Sequence, residues 1–417
     1  MLHLSNNSPA SDSIWTPTFI SLCIVNIFQI TGQMMMNTVI PLYVRSLGAT
    51  GSIIGMVVGA FAITALCTRP VITPLFDSFP KKPIFFAAVL LIVVCSFLYS
   101  FATSVPAMFA IRMLHGLAMG CTGPLALALA SESLPIEHRA SGISIFSLAQ
   151  ALGQAVGPAL GLWLIDLVGY SWTFNVAGIS MAIAAALVLA IKEPKVEDRP
   201  KYKIALNRMF AVGAAAPAVM TAICAACNSS IMSFLAIYGT VLGVTGIGLY
   251  FTVHAIFLLI FRPLFGRLAE SLGYRKVMLP ALILYAGIFV MISQATQLWQ
   301  FVIIAILAAA GYGVCSPLFQ SIAMSSVPNN RSGAASATNF TGLDLAQLVG
   351  PTCVGSIADH FCAQTGSEAA GYSAMYLVIA GVMVGGIALF LLLYPTMQRN
   401  MDRVEEENGI VPRSAVK

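Results

Sequence analysis

Residues 83–103 read PIFFAAVLLIVVCSFLYSFAT, a run with no charged side chain that follows directly on Lys81 and Lys82. It has the length of about 20 residues that a helix needs to cross the roughly 30 Å of bilayer hydrocarbon. Its apolar positions follow one another instead of alternating, which fits a spanning helix and not a barrel strand. Working outward, the same pattern recurs at 16–43, 51–76, 105–131, 140–166, 171–191, 208–235, 244–268, 275–297, 299–325, 333–359 and 371–396, giving twelve spans in all. The whole chain agrees: of 417 residues 58% are apolar and 9% charged, against about 25% charged in soluble globular domains. The fold class is therefore an all-α membrane protein of twelve transmembrane helices. The polar first residues and the length of the first span predict no cleaved signal.

Basic residues fix an orientation, because cytoplasmic loops carry Lys and Arg in excess. With both termini inside, the inner side holds Arg69, Lys81, Lys82, Arg139, Lys192, Lys195, Arg199, Lys201, Lys203, Arg208, Arg262, Arg267, Arg275, Lys276, Arg331, Arg399, Arg403, Arg413 and Lys417, and the outer side holds Arg45 alone. Arg112 lies deep in a span. The net charge of +5 follows from this topology and implies no nucleic-acid partner. A multi-pass protein of a bacterial-type cytoplasmic membrane is expected, with N- and C-termini in the cytoplasm.

Charged residues cluster once in mid-chain, over 192–201, and this divides the chain into a six-helix bundle 1–191, a cytoplasmic linker 192–207, a second bundle 208–398 and a cytoplasmic tail 399–417. The two bundles repeat at an offset of 193 residues: Arg69-Pro70 falls on Arg262-Pro263, Asp77 on Glu270, Gly120 on Gly313, Pro124 on Pro317, Pro135 on Pro328, Gly157-Pro158 on Gly350-Pro351 and Asp166 on Asp359. Parallel repeats of this kind, related by a pseudo-two-fold axis, place a solute site at their interface near the bilayer midplane.

Four segments resemble the major facilitator superfamily, and the likeness covers nearly the whole chain. The stretch Arg69 to Lys82 is similar to the family's G-x-x-x-D-R-x-G-R-K loop, keeping Asp77 and the basic pair while carrying Thr73, Ser78 and Pro80 at other positions. Its second copy keeps Gly266, Glu270, Gly273, Arg275 and Lys276. Arg112-Met113-Leu114-His115-Gly116 resembles the R-x-x-Q-G element, with His115 in the glutamine position. Gly153, Gly157, Pro158 and Gly161 are similar to the G-x-x-x-G-P-x-x-G helix-packing element of the drug:proton antiporter branch, and Gly350 and Pro351 are its second copy. The resemblance implies a transporter working by alternating access. It also implies that Arg69, Asp77, Lys81, Lys82, Glu132, Arg139, Arg262, Glu270, Arg275 and Arg331 form an inner gate.

An ionisable side chain in hydrocarbon costs at least about 2.5–3.5 kcal/mol at mid-span, so it faces a bundle interior or a wet cavity. Arg112, His115, His254 and Asp344 meet that condition. Asp344 is the leading proton carrier, because burial disfavours its charge as a group that takes up and returns a proton requires. Arg112 keeps its charge and serves as counter-charge or anchor, and His115 is the one of the pair able to titrate near neutrality. Arg112, His115 and Met119 share a helix face. On span one, Asn26, Gln29, Gln33 and Asn37 fall on one arc about 80° wide. These amides are expected to line a central cavity, with Asn228, Ser229, Tyr312, Gln320, Asn339 and Gln347 continuing the wall. For each, a static packing or hydrogen-bonding role is the competing reading.

Nine cysteines fall almost entirely within spans, and Cys224-x-x-Cys227 has no further ligand at zinc spacing, so helix packing is the reading and no metal is expected. No phosphate-cradling loop or nucleophile triad is found, so no enzyme and no cofactor are expected. The expected partners are a small solute, the proton as coupling ion and the lipid bilayer, with the chain a monomer. The sequence reading is a proton-coupled exporter of a polar or amphipathic organic solute. The alternatives are an uptake symporter or uniporter, a lipid flippase, and a solute-sensing receptor.

Overall fold

Thr16 starts the first helix: its hydroxyl accepts the Phe19 N–H at 3.2 Å, and Pro17 fills the first turn, where an absent N–H is harmless. The computed structural model describes residues 14–134, 139–191, 193, 210–328 and 332–407. Its helices are α1 (Pro17–Ser46), α2 (Gly51–Ser78), α3 (Lys81–Phe101) and α4 (Val105–Glu132), then a helical trace over Arg139–Ala190. That trace breaks at Gly169, whose φ of 75° and ψ of 176° only glycine adopts without strain, giving α5 (139–168) and α6 (170–190). A 3-10 turn over Val212–Ala214 leads into α7 (Ala215–Val241), followed by α8 (Gly248–Leu272), α9 (Tyr274–Gln294), α10 (Leu298–Ser325), α11 (Ser332–Thr365) and α12 (Glu368–Glu407).

Ten helical stretches among the described residues are long and apolar enough to cross a membrane, and the one over 145–190 holds both α5 and α6. The twelfth helix, α11, does not stand out by composition, because Thr338, Asn339, Thr341, Asp344 and Gln347 interrupt it. Trp15, Trp163, Trp172 and Trp299 sit at helix ends and are 58–63% exposed, the placement of indoles at a membrane interface. The spans agree with the helices within about four residues except at α7, which runs over Ala215–Val241 against the expected 208–235, at the end of α11, which reaches Thr365 against 359, and at the C-terminus. There α12 runs past the expected end at 396, because Met397, Met401 and Val404 are buried and Asn400 donates to the Gly213 carbonyl at 3.3 Å. An amphipathic turn thus continues the helix along the bundle. Of the linker 192–207, Glu193 alone is described; Lys192, Lys195, Arg199, Lys201 and Lys203, with Arg208, Arg331, Arg413 and Lys417, lie outside the described residues.

Helices α1–α6 pack mainly with one another, and so do α7–α12. Within each group the glycines of the repeat set the closest approach. Gly153, Gly157 and Gly161 of α5 lie against Ile30, Met34 and Met35 of α1, while Gly350 of α11 lies against Ala226 and Ser229 of α7. A side chain at any of these four positions meets its neighbour closer than carbon normally approaches, so glycine is needed for the helices to touch. Among the described residues the main pairings that cross between the groups are α2 with α11, α5 with α8, and α1 with α7.

The apolar cores reveal where the two groups join. At the end bearing the α1–α2 and α11–α12 connections, here the far end, Val39, Val44, Ile54, Tyr99 and Phe174 share one core with Phe234, Tyr238, Tyr285 and Tyr376. At the opposite end, which bears the N-terminus of α1, Phe19, Val25, Phe85, Leu125 and Val188 form a core of α1–α6 alone. A separate small core there, of Ala211, Ala214, Ala323, Val327 and Ala335, belongs to α7–α12. Among the described residues the halves share an apolar core at one end and have separate cores at the other.

Candidate functional site

Between the halves lies a cavity of about 270 Å³. One wall is formed by Met34 and Asn37 of α1, Val58 and Phe61 of α2, and Gln154 and Pro158 of α5. The facing wall is formed by Asn228, Ser229, Met232 and Ser233 of α7, Phe251, His254, Leu258 and Arg262 of α8, Tyr312 and Ser316 of α10, and Leu343, Gln347 and Pro351 of α11. The duplication built this chamber. At the 193-residue offset Val58 pairs with Phe251, Phe61 with His254, Gln154 with Gln347 and Pro158 with Pro351, and both members of each pair line it. Each glutamine stands four residues before its proline, so each glutamine carbonyl loses its helical N–H partner beside the cavity.

At the far end the cavity is closed by polar contacts as well as by core. Asp359 of α11 accepts the N–H groups of Gly51 and Ser52 at 2.6 and 2.8 Å, and the Ser52 hydroxyl at 2.5 Å. Arg45 donates to Glu368 at 2.6 Å and to the Ile237 carbonyl at 3.4 Å. Along α2, Gly55 and Gly59 press against the Pro351 and Leu348 backbone of α11. Leu162 of α5 faces Gly248 of α8 in the matching position.

Six of the predicted wall residues line the cavity: Asn37, Asn228, Ser229, His254, Tyr312 and Gln347. The amide arc of α1 does not act as a unit, because only Asn37 reaches the chamber. Asn26 and Gln29 are buried at 4% and 3% exposure, and Asn26 donates to the Phe146 carbonyl of α5 at 3.3 Å; Gln33 is half-buried and outside the wall. The Arg112 face is likewise inside the first half. Arg112 donates to Asn37 Oδ1 at 2.9 Å and to the Val58 carbonyl at 3.3 Å, and it lies 4.7 Å over the Phe61 ring. His115 Nδ1 lies 3.2 Å from the Tyr99 hydroxyl, and Met119 packs against the core of α1–α6. Arg112 therefore acts on the chamber through Asn37: with Oδ1 held by the guanidinium, the Asn37 NH₂ is the face left for the cavity.

Asn339 accepts from Thr221 at 2.8 Å, Gln320 is half-buried, and neither lines the chamber. Asp344 is 2% exposed and also outside the wall, next in sequence to its member Leu343. It is one helical turn from Leu348 on the stripe of α11 that faces α2. His254 Nδ1 donates to the Ala305 carbonyl at 3.2 Å, which fixes the tautomer and leaves Nε2 as acceptor, and its ring stacks at 4° on Tyr250.

Of the residues expected at a gate, Lys81 pairs with Glu132 at 2.5 Å and Lys82 donates to the Leu189 carbonyl at 2.7 Å, both within the first half. Glu193 accepts both of their backbone N–H groups and so caps α3. Arg275 lies 6.0 Å from the Tyr394 ring centre in the second half. Arg262 instead lines the chamber, because α8 places it about one turn before the Gly266 loop element. The side chains of Arg69, Asp77, Arg139 and Glu270 lie outside the described residues. Among the described residues no group of His, Cys, Asp and Glu is placed to hold a metal, and Cys224 and Cys227 are buried and free. Gln154, Ser316, Phe61 and Phe251 are wall residues missing from the expected set. The 193-residue comparison carries the signal for two of them, pairing Phe61 with His254 and Gln154 with Gln347.

A two-part chamber built by duplicated bundles has a counterpart in known proteins. Residues 22–247 and 218–416 match the family model described as Major Facilitator Superfamily. The chain belongs to the major facilitator superfamily. As a member it is a transporter, not an enzyme, and it resembles the drug:proton antiporter branch. It is 24% identical over 383 residues to the quinolone resistance protein NorA of Staphylococcus aureus, covering 86% of this chain and 93% of NorA. It is 22% identical over 382 residues to an uncharacterized MFS-type transporter of Methanocaldococcus jannaschii, covering 89% and 96%. Among solved folds, a bacterial homolog of the human lysosomal transporter Spinster, in an inward-facing and unoccupied conformation, matches with a TM-score of 0.75 at 14% identity over 94% of this chain and 99% of that one. The nucleoside transporter NupG matches with a TM-score of 0.72 at 13% identity over 90% and 99%.

Proposed function

We propose that this transporter exports a small polar or amphipathic organic solute in exchange for protons, by rocking its two six-helix halves around the central chamber. One observation carries the reading: among the described residues the halves share a core and polar latches at the far end only, which supports a chamber closed there and halves that part at the other end. With the termini cytoplasmic, as the basic residues favour, this is the state that loads from the cytoplasm. Export is supported by the likeness to NorA, since resistance named for a compound is what removing that compound provides, and by the Gly153–Gly161 element. Proton coupling is supported by the burial of Asp344 beside a wall residue, where a carboxylate that changes protonation alters how α11 sits against α2.

The test uses everted membrane vesicles containing the protein and a fluorescent quinolone panel, with a pH gradient imposed acid inside. Export coupled to protons gives accumulation that collapses when nigericin dissipates the gradient. Accumulation requiring the reversed gradient identifies uptake symport instead, and entry that stops at equal concentrations under either gradient identifies a uniporter.

A further inference from the structure

The chamber's two walls are chemically unequal. Where the first half presents Val58 and Phe61, the second half presents the repeat partners Phe251 and His254, and it adds Asn228, Ser229, Tyr312 and Arg262. Among the described residues that line it, Arg262 is the one with a permanent charge, and none is a carboxylate. Its Nε is buried without a hydrogen-bond partner, although a guanidinium carries five donors. A second cation, Arg112, stands directly behind the opposite wall and engages the Asn37 oxygen, leaving the Asn37 NH₂ as the group free to donate. Arg262 also borders a smaller hollow of about 230 Å³, formed with Phe265, Tyr274, Leu318 and Ser321 further toward the terminus-bearing end, so it stands between the two spaces.

A cation with unused donors in a low-dielectric chamber attracts negative charge strongly and repels positive charge as strongly. Its planar fork suits a carboxylate, sulfonate or phosphate group. From this we infer the solute class: Arg262 receives the anionic group of an amphipathic organic anion, whose apolar part lies toward Met34, Val58 and Phe61. The assignment rests on the chamber being the transport site, and it extends that reading to the charge of the cargo. Tyr312 and Ser316, on the helix facing Arg262, supply hydroxyl donors to the same group. A purely cationic solute meets no carboxylate among the described residues of these walls and faces the Arg262 charge.

The test reads the charge of the chamber without needing a transported compound. In purified full-length protein, Ser316→Cys places a thiol in the wall beside Tyr312. Its reaction rates with anionic sulfonatoethyl methanethiosulfonate and cationic trimethylammonioethyl methanethiosulfonate are followed by peptide mass spectrometry, which separates it from the native cysteines. Each rate is divided by that of the same reagent with free mercaptoethanol. The anionic reagent is expected to be favoured by at least about tenfold, a preference that Arg262→Lys retains and Arg262→Gln removes. A ratio at or below one with Arg262 intact overturns the inference, and this measurement decides even where the glutamine variant does not fold. A preference that Arg262→Gln leaves unchanged overturns the role of Arg262. Because no pH gradient or transport step is involved, failure here is distinct from failure of the exporter reading.

Discussion

Asp359 of α11 caps Gly51 of α2, its Oδ1 accepting the glycine N–H at 2.6 Å, while Oδ2 takes the N–H and hydroxyl of Ser52. The first N–H groups of a helix have no partner within it and lie at the positive end of its dipole. Here that need is met by a carboxylate from the other half of the molecule, so the cap exists only while the far end is shut. Its neighbour, the Arg45–Glu368 pair, is more exposed and contributes less.

Replacing Asp359 with alanine removes the cap, a loss of about 1–2 kcal/mol by the usual worth of a capping carboxylate. That corresponds to a shift of about tenfold from closed toward open at the far end. Spin labels at Leu47 and Thr365 are expected to show a longer distance population growing in by electron double resonance, with a smaller change for Arg45→Gln. An unchanged distance distribution in the alanine variant shows that the shared apolar core alone holds this end closed.

Two glycines separate closure from folding. A Cβ on Gly55 runs into the Pro351 carbonyl of the opposite half, while one on Gly116 runs into the Phe61 carbonyl and Thr64 within the same half. Gly116→Ala is therefore expected to destabilise the first bundle by roughly 1–3 kcal/mol and to lower the thermal midpoint. Gly55→Ala is expected to leave that midpoint nearly unchanged, because the halves part instead, and to slow transport by blocking closure. Equal losses of thermal stability in both variants contradict this division.

The helices were legible because spanning runs of apolar residues have a length set by the bilayer, and the duplication was legible in paired prolines and glycines. The chamber was legible only in part. Helical periodicity gives the direction of Asn26, Gln29, Gln33 and Asn37 around α1 but not which neighbour covers each level. Nearest the terminus-bearing end α5 covers Asn26, and only at Asn37 does the arc meet open space. Arg112 and His115 were read correctly as buried, yet burial does not distinguish a wall from the layer behind it, where Tyr99 and Asn37 engage them. The neighbouring loop element points Arg262 to a gate, whereas its depth along α8 sets its place in the chamber. Gln154 escapes the sequence reading because the adjacent glycine and proline explain that segment's packing, although the offset pairs it with Gln347, an expected wall residue.

His115 separates coupling from packing. It is 2% exposed, held near the Tyr99 hydroxyl, and outside the chamber wall. A glutamine, the residue its relatives' element carries there, keeps a hydrogen-bonding group of similar reach. His115→Gln is expected to leave gradient-driven transport within about threefold of the parent, the scale of one altered hydrogen bond, and to leave its pH profile in place. A flattened profile between pH 5 and 8 returns His115 to the proton pathway.

Asp344 bears the opposite expectation. In an antiporter the proton is needed to return the empty carrier, whereas exchange of solute for solute across the membrane runs with the carrier always loaded. An asparagine at 344 keeps the volume and a hydrogen-bonding oxygen but has no carboxyl proton to give up, so it removes the first step and leaves the second. Asp344→Asn is thus expected to retain counterflow of a preloaded solute while gradient-driven accumulation falls by at least about tenfold, the scale of a lost charge-specific interaction. Accumulation that survives shows that the proton travels elsewhere. Equal loss of counterflow and accumulation shows that the buried carboxylate holds α11 in place and carries no proton, since an element needed only for coupling cannot matter when no proton moves.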